Sequence, residues 1–256
     1  MKYLGGKQRL GVHLAPVIQS YAAGTNGYLE PFCGSLGVLK RITLPHRVAA
    51  DYHPDLIQMW TEVQAGTFEC PATVSEDDYL RAKQLPSPSA LKAFVGFGMS
   101  FGGRFFGAYS QKYLGDKKED FCKEMVHSLE RTRPLIRDVQ FMVRDYRDFQ
   151  PVNKLIYCDP PYAQTRYPIK YRRDVKRYDT FDSATFWDVM REWSQRNVVL
   201  ISETSAPDDF VEVWRASKTR SASHSKNTVD AVDAVEKLFK LAQVPDMNAP
   251  LPARKR

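Results

Sequence analysis

The sequence has few cysteines and no long apolar run, and both shortages restrict the class of protein. Its four cysteines, Cys33, Cys70, Cys122 and Cys158, form no C-x-x-C pair and are too sparse for a disulfide framework. No segment approaches the ~20 apolar residues that a membrane-spanning helix needs, and residues 1–7 lack the apolar centre of a secretory signal. The five histidines show no spacing typical of a metal site. We therefore expect a soluble, reduced, intracellular protein without a bound metal.

The composition is that of an ordinary globular protein with a modest basic excess. Apolar residues make up 43% and charged residues 26% of 256 residues, which argues against general disorder. Lys and Arg number 37 against 30 acidic residues, a net charge of +7 that is compatible with a polyanionic partner.

Basic residues are concentrated in one segment, residues 166–177 (RYPIKYRRDVKR), which carries six basic side chains and one acid. Tyrosines are interleaved with these cations. Cations that neutralise phosphates and rings that stack on bases are what a nucleic-acid surface needs, although an ordinary solvated loop has the same composition. The candidate nucleic-acid contacts in this segment are Arg166, Lys170, Arg172 and Arg173.

The order of secondary-structure signals predicts an α/β fold with a parallel, open sheet. Strands are expected at 27–32, 47–51, 139–143, 155–158 and 198–201, with helices at 8–21, 35–42, 54–63 and 184–195 and a terminal antiparallel pair at 211–215 and 235–241. Residues 66–138 break this rhythm. They combine helical stretches with a segment rich in glycine and phenylalanine, which favours a loop-rich insertion.

The first motif with chemical content is Asp159-Pro160-Pro161-Tyr162, directly after the apolar strand predicted at 155–158. Ligands of open parallel sheets bind beyond the carboxyl ends of the strands. Two prolines stiffen the backbone and remove two N–H donors. The Asp159 carboxylate and the backbone carbonyl groups then become rigid hydrogen-bond acceptors, which suit the exocyclic amino group of a flat heterocyclic base. The Tyr162 ring could stack on that base. A proline-rich turn with a capping aspartate is the alternative that the tetrapeptide alone leaves open.

The second motif is residues 30–37 (EPFCGSLG), again between a predicted strand and a helix. Glycines let a ligand approach the backbone, and Asp51 ends the next strand about where Rossmann-like folds place an acid on ribose hydroxyls. Neither this segment nor residues 4–7 (LGGK) has the spacing of a dinucleotide fingerprint or a P-loop, so phosphate hydrolysis is not expected.

Four ordered segments resemble the Dam-like family of DNA adenine methyltransferases, which depend on S-adenosylmethionine (AdoMet). The segments are residues 2–7 (KYLGGK), 30–35 (EPFCGS), 51–57 (DYHPDLI) and 159–162 (DPPY). Residues 102–107 (GGRFFG) are similar to a glycine- and aromatic-rich segment of that family. The resemblance extends to about residue 205.

The resemblance implies a fold, a reaction and an organisation of the chain. The fold would be a Rossmann-like AdoMet-dependent methyltransferase sheet with a mainly helical target-recognition insertion. Residues 1–65 and 139–242 would form the catalytic domain, 66–138 the DNA-binding insertion and 243–256 a flexible tail. The enzyme would methylate N6 of a flipped-out adenine at specific sites in double-stranded DNA, as restriction-modification methylases do. It would act as a monomer without a metal in the cytoplasm of a bacterial or phage-infected cell.

The resemblance also implies roles for individual residues. The catalytic group would be Asp159, Pro160, Pro161 and Tyr162. AdoMet would be bound by Tyr3, Lys7, Glu30, Phe32, Gly34, Asp51 and Asp159. Arg104 would contact DNA together with the basic residues of the 166–177 segment, either at a guanine edge or as an ordinary surface arginine.

Three departures from the family pattern leave alternatives open. Leu36 stands where a second glycine is usual, His53 replaces an asparagine, and Ser202-Glu203 occupies the place of a Ser-Asn pair. The same motif could methylate another exocyclic amine, on cytosine N4, RNA or a small heterocycle. A DNA-binding homologue that has lost activity is the alternative from another class.

Overall fold

The computed structural model describes residues 1–110, 113–114, 117–118, 120–161, 181–217 and 235–242. Its strands are β1 (Tyr28–Glu30), β2 (Arg47–Asp51), β3 (Tyr113–Leu114), β4 (Lys117–Lys118), β5 (Gln140–Val143), β6 (Leu155–Cys158), β7 (Val198–Glu203), β8 (Phe210–Ser217) and β9 (Val235–Leu241). Its α-helices are α1 (Gly11–Ser20), α2 (Pro54–Ala65), α3 (Glu76–Lys83), α4 (Ala90–Gly98), α5 (Phe121–Thr132) and α6 (Ser183–Ser194).

Among the described residues, seven strands form one mixed sheet in the order β5-β2-β1-β6-β7-β9-β8. The first five of these strands are parallel, whereas β9 pairs antiparallel with both β7 and β8. The chain runs outward from β1 through β2 to β5 on one side and from β6 to β7 on the other, so the order reverses between β1 and β6. This confirms the predicted Rossmann-like α/β sheet and places its switch point between β1 and β6.

Buried side chains cover both faces of this sheet, as a parallel sheet requires. Along β6 the side chains alternate: Leu155 and Tyr157 belong to the larger core with α1, α2, α4 and α5, and Ile156 and Cys158 to a smaller core with α6. All four side chains are completely buried.

The residues between α2 and β5 supply α3, α4 and α5 and the short antiparallel pair β3–β4, which is separate from the main sheet. Helix α4 packs on α2, and Phe94 and Met125 of this segment share the larger core with Trp60. The helical stretches predicted in this part of the chain are confirmed.

The helix predicted at 35–42 is wrong. Only a single 3₁₀ turn forms there, at Leu39–Arg41. Leu36 has a φ of 57° and Gly34 a φ of 44°, so the chain passes twice through the left-handed region that an α-helix excludes. The Leu36 side chain nevertheless lies fully inside the larger core.

Candidate active site

Three acidic residues of the predicted site lie at the carboxyl ends of neighbouring parallel strands, and a fourth acid, Glu203, ends β7 beside β6. Glu30 ends β1, Asp51 ends β2 and Asp159 follows β6. Since β1 and β6 flank the switch point of the sheet, these residues border the crevice in which open α/β sheets bind ligands.

A buried lysine connects this edge to the amino-terminal segment. The Lys7 Nζ atom donates to Asp159 Oδ1 at 2.7 Å and lies 3.3 Å from Glu236 Oε1 on β9. Burial alone would lower the pKa of Lys7, but the two carboxylates outweigh that effect and raise it. Lys7 is therefore a fixed cation inside the site.

Glu30 is buried beside this ion pair. Its Oε2 atom accepts a hydrogen bond from the Tyr28 hydroxyl at 2.8 Å. Burial raises the pKa of Glu30 well above the ordinary value, and the negative charge of Asp159 adds to that increase. A cation bound next to Glu30 would favour its ionised form, so this part of the crevice suits a positively charged group.

The loop after β1 is joined to β2 through Asp51. The Gly34 amide donates to Asp51 Oδ2 and the His53 amide to Asp51 Oδ1, both at 3.0 Å. Burial raises the pKa of Asp51 despite these hydrogen bonds. The N-cap of α2 is His53, whose Nδ1 atom accepts from the Leu56 amide, so Asp51 is free of that capping role.

Close backbone approach fixes the rest of the loop. A Cβ atom on Gly34 would lie 3.0 Å from Cε1 of the Tyr3 ring, and one on Gly37 would lie 2.8 Å from the Lys7 carbonyl carbon. The Gln8 side-chain Nε2 donates to the Ser35 carbonyl at 2.7 Å. The residues around Lys7 thus pack directly on the loop after β1.

An aromatic group joins this loop to the inserted segment. The Tyr3 ring lies 5.1 Å from that of Phe97, and the Phe105 ring lies 4.4 Å from that of His53, measured between centroids. Arg104 is exposed beside this group. The neighbouring Gly103 carbonyl accepts from the Leu4 amide at 3.3 Å.

Some predicted site residues lie apart from the aromatic group around Tyr3, and others lie outside the described residues. Phe32 is half-buried and packs on Tyr146, with ring centroids 5.2 Å apart. Pro160 is buried and Pro161 is exposed. The remaining predicted site residues lie outside the described residues: Tyr162, Arg166, Lys170, Arg172 and Arg173.

Sequence reasoning missed two polar contacts of this edge. Glu236 lies 77 positions after Asp159 in a strand predicted only by its apolar character. Ser202, noted as part of a departure from the family pattern, shares a hydrogen bond of 2.8 Å with the buried Tyr157 hydroxyl. The same strand carries Lys237 and Lys240, so nothing in its sequence distinguishes Glu236 from a surface acid.

In the part of the chain that the structure describes, three or more His, Cys, Asp or Glu side chains do not come together in a group that could hold a metal ion. In the same residues no helix combines the length and apolar character needed to cross a membrane.

Comparison with known proteins identifies related sequences. Residues 3–85 match the family model of D12 class N6 adenine-specific DNA methyltransferases. The chain is 26% identical over 190 residues to a DNA adenine methylase of Haemophilus influenzae, an alignment that covers 64% of this chain and 63% of that protein. The chain thus spans less than two thirds of the length of this curated relative. Both matches support a Dam-like family.

A comparison of structures finds the rRNA methyltransferase AviRa of Streptomyces viridochromogenes. It has a TM-score of 0.37 and 11% sequence identity, and the match covers 90% of this chain and 84% of that one.

Proposed function

We propose that this chain, a member of the Dam-like family of adenine-specific DNA methyltransferases, transfers a methyl group from AdoMet to N6 of an adenine in double-stranded DNA. The observation that carries the proposal is the position of Asp159. Its carboxylate lies just beyond the carboxyl end of β6, accepts a hydrogen bond from Lys7 and acts electrostatically on Glu30 at the end of β1.

The residues around the loop after β1 fit AdoMet. This cofactor supplies an activated methyl group on a positively charged sulfonium. The buried Glu30 and the half-buried Asp159 border the crevice, where a bound sulfonium would favour the ionised form of Glu30. Asp51 lies where a ribose-binding acid is expected. Tyr3 and Lys7 would border the methionine end, and Gly34 would form the wall on the β1 side.

Asp159 and the Pro160 carbonyl would hold the target amine. The lone pair of the adenine amino group is delocalised into the ring, which makes it a poor nucleophile. Accepting a hydrogen bond from each N–H favours a more tetrahedral nitrogen. Correct orientation of reacting groups can contribute about 7–11 kcal/mol, so positioning is the main contribution that we assign to these residues.

A duplex buries the amino group, so the adenine must leave the stack at a cost of a few kcal/mol. We infer from the sequence that Tyr162 stacks on the extruded base and that the basic residues of the 166–177 segment hold the flanking phosphates. We also infer that residues 66–138, including Arg104, contribute to target choice. We expect one protein molecule to act at each site.

Nucleoside mass spectrometry tests the proposal. DNA and RNA are incubated separately with the protein and AdoMet and digested, the methylated nucleosides are identified, and DNA binding is measured on the same preparation. We expect N6-methyladenine. N4-methylcytosine would show a different exocyclic amine as substrate, methylation of RNA alone would exclude DNA as the substrate, and DNA binding without any methyl transfer would indicate an inactive homologue.

A further inference from the structure

We propose that Glu236 is a positioning residue of the methyl-transfer site, which acts on Asp159 through Lys7. The inference rests on the proposed function and extends it to a residue of the antiparallel strand β9. Within the described residues, Lys7 contacts one carboxylate on each side: Asp159 at 2.7 Å and Glu236 at 3.3 Å.

The sheet itself brings Glu236 to this position. β7 pairs in parallel with β6, and β9 pairs antiparallel with β7, with Lys237 opposite Glu203. Residue 236 therefore reaches the same edge of the sheet as Asp159. The Glu236 side chain is 0% exposed, and the Lys7 side chain is 5% exposed.

A completely buried carboxylate is costly unless a cation accompanies it. Here one ammonium serves two carboxylates, so the positive charge of Lys7 is shared between them. If Glu236 became neutral, more of the positive charge of Lys7 would act on Asp159. Asp159 would then be a weaker acceptor for the hydrogens of the substrate amine, and its carboxylate would shift with the lysine.

Kinetics of Glu236→Gln test this role. We expect kcat to fall about 10- to 100-fold, the size of loss that displacement of a reacting group causes, while the affinity for AdoMet, measured by calorimetry, stays close to that of the wild type. Glu236→Asp retains the charge and should recover part of kcat. Glu212→Gln, in the partner strand β8 with its salt bridge to Arg215, is the matched control and should leave kcat unchanged.

A second variant separates this role from simple structural support. Lys7→Met should lower both kcat and the melting temperature, because it removes the cation between Asp159 and Glu236. Adding Glu236→Gln to Lys7→Met should then cause no further loss of kcat. It should also recover part of the melting temperature measured without cofactor, because it removes one of the two carboxylates that lost the Lys7 cation. Losses that add in the double variant would contradict action through Lys7.

The outcomes distinguish the two proposals. A wild-type protein that transfers no methyl group would refute the proposed function itself. Normal transfer by the wild type together with an unchanged kcat in Glu236→Gln would refute only the role of Glu236.

Discussion

Replacing Gly34 by alanine tests the shape of the loop after β1 with a single methyl group. Gly34 has a φ of +44°, and an added Cβ would lie 3.0 Å from Tyr3 Cε1 and 3.3 Å from Tyr3 Cζ. The left-handed backbone costs an alanine about 1–2 kcal/mol, of which about 0.4–1 kcal/mol is recovered through the less flexible unfolded chain. Moving the tyrosine off its rotamer adds about 0.5–1.5 kcal/mol. We therefore expect a total loss of roughly 0.5–3 kcal/mol in the free energy of unfolding.

Urea unfolding followed by tryptophan fluorescence measures this loss. Trp60 is buried, and its Nε1–H donates to the Gly34 carbonyl at 2.9 Å. Gly24→Ala is the matched control, because Gly24 has a φ of +78° but nothing within 4 Å of its Cβ position. It should show the backbone cost alone and leave AdoMet affinity unchanged, whereas Gly34→Ala should weaken AdoMet binding. Equal destabilisation by both substitutions would refute the close packing of Tyr3 on Gly34.

Three further predictions concern charge. Burial raises the pKa of Glu30, so its contribution to stability is complete below the ordinary glutamate value, about 4.3, and is lost as the pH rises through the raised pKa. Unfolding without cofactor should show this loss in the wild type and not in Glu30→Gln. Asp51→Ala leaves the partly buried Gly34 and His53 amides without their acceptor, at a cost of at most about 1–3 kcal/mol each, and should also weaken AdoMet binding in calorimetry. A stability loss with unchanged affinity would reduce Asp51 to a structural role. Replacing Arg172 and Arg173 by alanine should weaken binding to all DNA sequences and reduce the slope of log affinity against log salt by up to ~0.9 per lost contact, whereas Arg104→Ala should cost ~1–3 kcal/mol on the preferred sequence only. The affinities for cognate and scrambled duplexes would be compared at several salt concentrations. Equal weakening of binding to all sequences by Arg104→Ala would contradict a base contact by Arg104.

Local patterns predicted the elements that local forces determine. β2 and β6 occur at the predicted residues, since a short apolar run between turn signals is sufficient to specify a buried strand. The helix expected at 35–42 failed because the loop after β1 must turn to bring Gly34 to Asp51 and Gly37 to the residues around Lys7. Tertiary contacts determine the conformation of this loop, and the spacing of apolar residues along the sequence carries no information about those contacts.

In the candidate site too, residues in local motifs were predictable and a residue placed by long-range pairing was not. The segments carrying Lys7, Glu30, Asp51 and Asp159 are recognisable because each lies in a short motif beside a strand or turn. Glu236 has no such motif, and only the antiparallel pairing of β9 with β7 brings it to Lys7. Long-range strand pairing cannot be deduced from the composition of one strand.

Methyl transfer by Asp159→Ala and Asp159→Asn tests the central claim most directly. N6-methyladenine formed in a single turnover would be measured by mass spectrometry for both variants and for the wild type, with circular dichroism and AdoMet binding recorded for the same preparations. Glu236 still accompanies Lys7 in both variants, so we expect each to fold. We predict N6-methyladenine from the wild type and none from Asp159→Ala. A folded Asp159→Ala protein that forms N6-methyladenine at nearly the wild-type rate would contradict the account.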